Sequence, residues 1–271
     1  MKTDLLKAAF QEDFSDIGDI TGEAIFSEEI ESFKLISKDI GILCGIKEFV
    51  EVMKSVDDSI IFNVFFKDSQ KINKGDLIAE ISGKVSSILK AERTALNILS
   101  HLSGIATKTN KFVVAANGRS TILDTRKTLP GLRELQKYAV RCGGAQNHRM
   151  GLYDMVMIKD NHIDAAGGIV KAVNKIRNKW GTRFQIEVET RNLDEVQQAI
   201  DCKSDRVMLD NMDDQMMSQA VELIAGRCET EASGNMSLER IPEVAETGVN
   251  FISVGELTHT VKAFDFSLRK K

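Results

Sequence analysis

The spacing of hydrophobic residues changes character partway along this chain. Near the start, Leu5, Leu6, Ala9 and Phe10 recur at helical intervals and predict a short helix. EDFSDIGDITG (12–22), with Gly18 and Gly22, interrupts it. FKLIS (33–37) reads as a strand. KEFVEVMKSV (47–56) reads as a helix with Phe49, Val50 and Met53 on one face, and IIFNVFFK (60–67) as a β-rich strand. Residues 67–89 set short apolar pairs between Gly and Asp turns, the pattern of tight hairpins. A long helical stripe then runs from about Ser87 to Ala116 through Leu89, Leu96, Leu99, Leu102 and Ile105.

After Gly118 the pattern becomes a strict alternation. Strands are predicted at 121–125, 155–159, 184–189, 206–210, 228–233 and 250–255. Between them lie helices at 132–141, 169–179, 192–200 (capped by Asn192), 214–225 and 238–248. A seventh strand could lie near Gly143–His148. Strands alternating with amphipathic helices imply a parallel sheet with right-handed crossovers. Each strand ends in polar or glycine residues: Asp124, Arg126 and Lys127; Lys159; Glu189; Asp210-Asn211; Glu231 with Ser233-Gly234; Gly255-Glu256. If the sheet closes, those ends share one mouth, where α/β barrels place their chemistry. The glycine fingerprint of an open dinucleotide-binding sheet, GxGxxG, is absent after the early strands, as is GxxxxGK[ST].

Charge sharpens this picture. The chain is formally at −4, yet 124–162 gathers Arg126, Lys127, Arg133, Lys137, Arg141, Arg149 and Lys159 against Asp124, Glu134, Asp154 and Asp160. Cations beside strand ends in a mildly acidic protein suit a small anionic ligand. Nucleic acid would call for a broad basic surface. No apolar run reaches the ~18–20 residues of a membrane span, and the N-terminus lacks the apolar core of a signal peptide. Cys44, Cys142, Cys202 and Cys228 are far apart in sequence without metal-ligand spacing, and are expected to be reduced thiols in a cytoplasmic protein.

The mouth would offer Arg126, Lys127, Lys159 and His148-Arg149 as cations. Arg binds planar carboxylates bidentately, and Lys serves phosphate as a point charge. Glu189 and Asp210 are hard oxygen donors of the kind that hold Mg²⁺ together with substrate phosphates. Glu187 shares a strand face with Glu189 and could also reach the mouth. The turns Ser233-Gly234-Asn235 and Val254-Gly255-Glu256 have backbone N–H groups suited to a phosphate monoester. His162 could orient Lys159 or cap a helix, His101 is expected to be packed, and His259 is open. Arg133, Lys137 and Tyr138 could line the rim of the mouth but are expected on the solvated helix face.

The run DTRKTLPGLRELQKYAVRCGGAQNHRMGLYDMVMIKDNH (124–162) resembles the signature of quinolinate phosphoribosyltransferases. EDFSDIGDIT (12–21), KGDLIAEISG (74–83), AERTALNILSHLSGIAT (91–107), IEVET (186–190), VMLDNM (207–212), EASGN (231–235) and ISVGELTH (252–259) follow in that family's order, so the resemblance spans essentially the whole chain. It implies an N-terminal α/β open-faced sandwich (1–105, joined by 261–271) and an incomplete α/β barrel of six or seven strands (106–260). It implies a homodimer or larger homo-oligomer, with Arg93 reaching a neighbour's mouth across the interface. By the same resemblance, Arg126, His148, Arg149 and Lys159 would grip the two carboxylates of quinolinate. Lys127, Glu189 and Asp210 would surround phosphoribosyl pyrophosphate (PRPP) and Mg²⁺, and Ser233, Gly234 and Gly255 would hold its 5-phosphate. Decarboxylation to nicotinate mononucleotide would follow, with a molybdenum-associated sister branch acting on another pyridine carboxylate or base as the alternative. Ser69, where the family often has Gly, and Thr260, where Ser is common, depart from the pattern.

Overall fold

The computed structural model describes residues 3–271. The chain forms two compact units, one comprising residues up to Asn110 with 129–144 and 260–271, the other 111–128 with 145–259.

The first unit opens with α1 (Thr3–Phe14) and α2 (Ile20–Ile25). The glycine-containing break is therefore short: Asp19 accepts hydrogen bonds from the backbone N–H groups of Thr21 and Gly22 and starts a new helix where periodicity alone suggested none. β1 (Ile30–Ser37), β2 (Gly41–Ile42), α3 (Ile46–Val56), β3 (Ile61–Val64), β4 (Lys71–Ile72), β5 (Leu77–Lys84) and the long α4 (Val85–Ala116) follow. One antiparallel sheet has a strand order that places β5 between β1 and β3; β2 and β4 pair separately. On β1 the alternation buries Phe33 and Leu35, and on β5 Ile78, Ala79 and Ile81 are buried. Against them pack Phe49, Val52 and Met53 of α3 and Ile88, Ala91, Ala95 and Leu99 of α4. Each fully buried Leu, Ile, Val, Phe or Met side chain among them contributes ~1.5–3 kcal/mol.

The second unit alternates strand and helix. Its strands are β6 (Thr121–Leu123), β7 (Val156–Ile158), β8 (Ile186–Thr190), β9 (Arg206–Asp210), β10 (Glu229–Ser233) and β11 (Phe251–Ser253). Its helices are α6 (Asp160–Ala166), α7 (Ile169–Trp180), α8 (Leu193–Asp201), α9 (Asp214–Ile224), α10 (Ile241–Glu246) and α11 (Glu256–His259). All ladders are parallel: β7 to β11 pair in succession, and β11 returns to β6. The expected seventh strand reduces to one parallel bridge, Leu123 with Gln146. Among the described residues no ladder joins that segment to β7, which leaves the barrel incomplete.

Two elements complete the first unit. β12 (Phe266–Lys270) pairs antiparallel with β1, Ser37 opposite Phe266 and Phe33 opposite Lys270. Helix α5 (Arg133–Cys142), within the span expected for the barrel, groups with the first unit instead. Its polar residues explain why. The Gln136 side chain meets His101 Nε2 at 2.8 Å, and Tyr138 donates to Asp68 Oδ2 at 2.7 Å. Asp68 Oδ1 in turn accepts from Gly45 N and Ile46 N at the start of α3. Lys137 is fully buried, not on a solvated face, so the expectation for Lys137 and Tyr138 fails: this helix is covered on more than its apolar stripe. The fold also brings together two cysteines that lie far apart in sequence. Cys44 and Cys142 are free, buried and in thiol–thiol hydrogen-bond contact, which, with bonds from Ser69 and Tyr138, draws the Cys142 pKa down to about 7 against the effect of burial. Ser69 sits at φ 71°, a left-handed conformation that accounts for glycine at such a position.

Candidate active site

The strand ends of the second unit surround a cavity of about 860 Å³. Arg126, Lys127, His148, Arg149, Lys159, Glu189, Asp210, Ser233, Gly234 and Gly255 all line it. The mouth read from the strand-end pattern is therefore one site. His259, left open by the sequence, lines it too. Arg93 does not: it is exposed on α4 of the first unit.

Local chemistry sets each group in place. Beyond β6 the chain turns so that Lys127 N bonds to Thr125 Oγ1 and Lys127 O accepts from Thr258 Oγ1 at 2.8 Å. Gly255 leaves room for this lysine; a Cβ there would stand 3.0 Å from Lys127 Cδ. Lys159 caps α6, and His162 Nδ1 accepts from its backbone N–H at 3.0 Å, so His162 is a helix cap. Lys159 Nζ lies 2.6 Å from Glu189 Oε2. Asp210 ends β9 and accepts from the Asn211 side chain at 2.6 Å. Gly234, at φ 96°, is pressed against Asn211: a Cβ would fall 2.2 Å from its Oδ1 and 2.9 Å from its backbone N.

Arg149 Nη1 donates to Met155 O at 3.2 Å. Burial, then the positive Arg126, pulls its guanidinium below the ordinary value, but an arginine remains cationic at any neutral pH. Arg149 and Arg126 thus present like charges to one volume, which favours a ligand with more than one negative group.

Beneath these cations lies a buried network that strand patterning did not resolve. Glu187 and Glu231 have no exposed surface, and His148 is almost as buried. His148 Nε2 lies 3.0 Å from Glu187 Oε2 and 3.4 Å from Glu231 Oε2. Arg206, at the start of β9, donates to Glu231 at 3.0 Å and to Glu229 at 2.8 Å. Asp124, also fully buried, accepts from His148 N at 2.8 Å and from the Asn147 side chain at 2.6 Å. Burial, then the charge of Glu231, raises the Glu187 carboxyl to about 7. Burial lowers the proton affinity of His148, but the two carboxylates outweigh it, to about 9. A second ring proton, however, would sit on Nδ1, to which Arg149 N–H donates at 2.7 Å. That hydrogen bond requires an unprotonated Nδ1, so the ring is the neutral Nε2–H tautomer. The readable signal for this network was a charged residue inside a strand buried on both faces: every residue of β8 is buried, although Glu187 and Glu189 alternate with Ile186 and Val188.

A family model described as quinolinate phosphoribosyl transferase, C-terminal domain, matches residues 105–269, and the corresponding N-terminal domain model matches residues 19–103. Quinolinate phosphoribosyltransferase (decarboxylating) 1b of Nicotiana tabacum is 44% identical over 98% of this chain and 81% of its own. A probable nicotinate-nucleotide pyrophosphorylase (carboxylating) of Bacillus subtilis is 42% identical over 97% of this chain and 91% of its own. The solved structure of the nicotinate-nucleotide pyrophosphorylase from Francisella tularensis superposes with a TM-score of 0.95 at 44% identity, covering 99% of this chain and 95% of that one. With both domain models matched in order and the barrel mouth carrying the expected residues, the chain belongs to the quinolinate phosphoribosyltransferase family.

Proposed function

We propose that the chain transfers phosphoribosyl from PRPP to quinolinate with loss of CO₂, giving nicotinate mononucleotide and pyrophosphate for NAD biosynthesis. The observation that carries this reading is the cavity itself, where Arg126, Lys127, Arg149 and Lys159 face Glu189 and Asp210 at the strand ends. Arg126 and Arg149 take the two carboxylates of quinolinate, with Lys159 and His148 completing their cradle. Lys127, beside Gly255, meets the pyrophosphate, and Ser233, Gly234 and Gly255 receive the 5-phosphate. Charge fixed in advance at such a site is commonly the largest catalytic contribution. The pyridine nitrogen attacks C1 of the ribose as the pyrophosphate departs. The ring nitrogen becomes cationic, the 2-carboxylate leaves as CO₂ with its bonding electrons retained at C2, and a proton from solvent then adds at C2 to give the nicotinate ring. Lys159 and the arginines hold the remaining carboxylate in place.

Glu189 and Asp210 fit Mg²⁺: both are hard oxygen donors lining the same wall of adjacent strands. The ion, when bound with PRPP, would neutralise developing pyrophosphate charge. Glu189 also holds Lys159 at 2.6 Å, so its own charge fixes a cation in the site.

In this reading the enzyme works in the cytoplasm as a homodimer or larger homo-oligomer, and Arg93 acts on a neighbouring subunit's mouth. Among the described residues no helix is long and apolar enough to cross a membrane. Arg93→Ala and Lys127→Ala proteins should each be impaired, and mixing them should recover part of the turnover in hybrid oligomers. No recovery after verified subunit exchange rejects a shared site.

The central test is CO₂ release from carboxyl-labelled quinolinate, omitting PRPP, Mg²⁺ or quinolinate in turn. Release that needs all three, matched by nicotinate mononucleotide, is expected. Nucleotide formation from another pyridine acid alone would transfer the protein to a sister activity.

A further inference from the structure

The interior of an α/β barrel is ordinarily filled by branched apolar side chains in layers drawn from alternate strands. Here β8 and β10, which flank β9, contribute Glu187 and Glu231. Both carboxylates are fully buried, and in each the Oε1 atom has no hydrogen-bond partner. An unpaired buried carboxylate oxygen is unfavourable, and an apolar pair of similar size would avoid that cost. The oxygens that do have partners converge on one ring, the imidazole of His148.

That ring is held on every polar atom. Asp124 Oδ1 fixes its backbone N–H, the carboxylates fix Nε2, and Nδ1 accepts the N–H of the next residue, Arg149. The last bond exists only in the Nε2–H tautomer. A carboxylate at Nε2 can only accept, so it demands a proton there, and the Arg149 N–H in turn requires Nδ1 to accept. The line of contacts runs from Arg206 through Glu231 to the imidazole, which Glu187 also meets, and from there to the peptide that carries a mouth guanidinium.

We propose that Glu187 and Glu231 are positioning residues for substrate binding: by fixing the tautomer of His148 they set the backbone of Arg149, and so the placement of its guanidinium towards a carboxylate of the substrate. The role rests on the assignment of His148 and Arg149 to quinolinate. Neither glutamate need touch the ligand; Glu187 does not line the cavity at all. The specificity of the effect follows from the geometry. On the PRPP side of the mouth, Lys127 is placed by Thr125 and Asp210 is bonded to the Asn211 side chain, partners separate from the imidazole and its carboxylates.

Glu187→Gln and Glu231→Gln in the full chain test this, because glutamine keeps the shape but can donate as well as accept. The KM for quinolinate should rise by about 10-fold or more while that for PRPP stays within about 2-fold, the mark of lost binding on one side of a site. Val188→Ala, on the same strand with its side chain fully buried, serves as the structural control. It should lower the melting temperature without separating the two KM values. Nitrogen NMR of labelled histidine, tractable with four histidines in the chain, reads the tautomer directly. The parent protein should show His148 protonated at Nε2 and bare at Nδ1, and the glutamine variants a mixture. Variants that keep both the single tautomer and the quinolinate KM overturn the proposal. If the parent protein fails to use quinolinate at all, the functional reading falls. The tautomer comparison then decides alone: a retained single tautomer overturns the positioning role, and a lost one supports it.

Discussion

Both units pack apolar side chains, and they differ in what else they bury. The first packs an antiparallel sheet against α3 and α4 through side chains such as Leu35, Phe49, Ile81 and Leu99, all without exposed surface. The second surrounds its site with strands whose inner positions carry Glu187, Glu231 and Arg206. An apolar core tolerates volume-conserving exchange because no partner is specific. A buried ionic network works only when complete: removing one member strands another charge away from water.

The largest expected effects set this contrast most directly. Phe49→Ala should cost about 3–5 kcal/mol of unfolding free energy by opening a cavity. Arg206→Leu should cost a similar amount, about 3–5 kcal/mol, because Glu231 loses its cation. A second change separates them. Adding Glu231→Leu to Arg206→Leu should return part of the loss, whereas pairing Phe49→Ala with Leu35→Ala should deepen it. Denaturant titration of the variants checks both, and a Glu231→Leu addition that deepens the loss would erase the distinction between the units.

Next in size is the mouth. Arg149→Ala removes a charge-assisted contact and should reduce kcat/KM for quinolinate by about 10- to 150-fold, the equivalent of ~1.5–3 kcal/mol. Near-normal rates at low quinolinate would contradict it. Unfolding should change far less, since the guanidinium is only half-buried.

The smallest effect is a slope with pH. Glu187 goes from 4.5 to about 7 on folding, so between those values the folded state binds more protons than the unfolded one. Stability contributed by this group therefore falls as pH rises through that window, and Glu187→Gln should flatten the fall. Glu231 has the opposite sign. His148 and Arg206 hold its carboxyl below the ordinary value despite burial, and its stabilisation is lost only as pH drops below 4.5. Above pH 7 the profile reports on the imidazole. A fall that continued to about 9 would mean that the ring takes a second proton in spite of the Arg149 bond; a profile that levels off would match the neutral tautomer. Thermal unfolding across pH reads all three windows.

Much of this was legible beforehand. Alternating strands and helices gave the parallel barrel, and polar strand ends such as Lys127, Lys159, Glu189 and Asp210 marked its mouth, because a barrel brings every C-terminal strand end to one place. Less legible was whatever depends on partners distant in sequence. The burial of Lys137 and the meeting of Cys44 with Cys142 follow from where α5 packs, and helical periodicity carries no such information. The start of α2 was missed because one side chain, Asp19, turned a glycine-rich break into a cap. Glu187 and Glu189 look equivalent by strand period, yet one is sealed beneath the imidazole and the other opens on the cavity.

In the sequence, the whole second unit lies between β1 and β12, two strands that pair within the first. On the ribosome, β1 emerges while its partner has not been made, and at ~5–20 residues per second the interval is on the order of ten seconds or more. Throughout that time one edge of the nascent sheet lacks its hydrogen-bonding neighbour, the kind of surface through which growing chains stick to one another. The barrel segment can fold in that interval, but the sandwich can close only afterwards. Translation speed and chaperone capture thus bear on the yield of the first unit more than on that of the second.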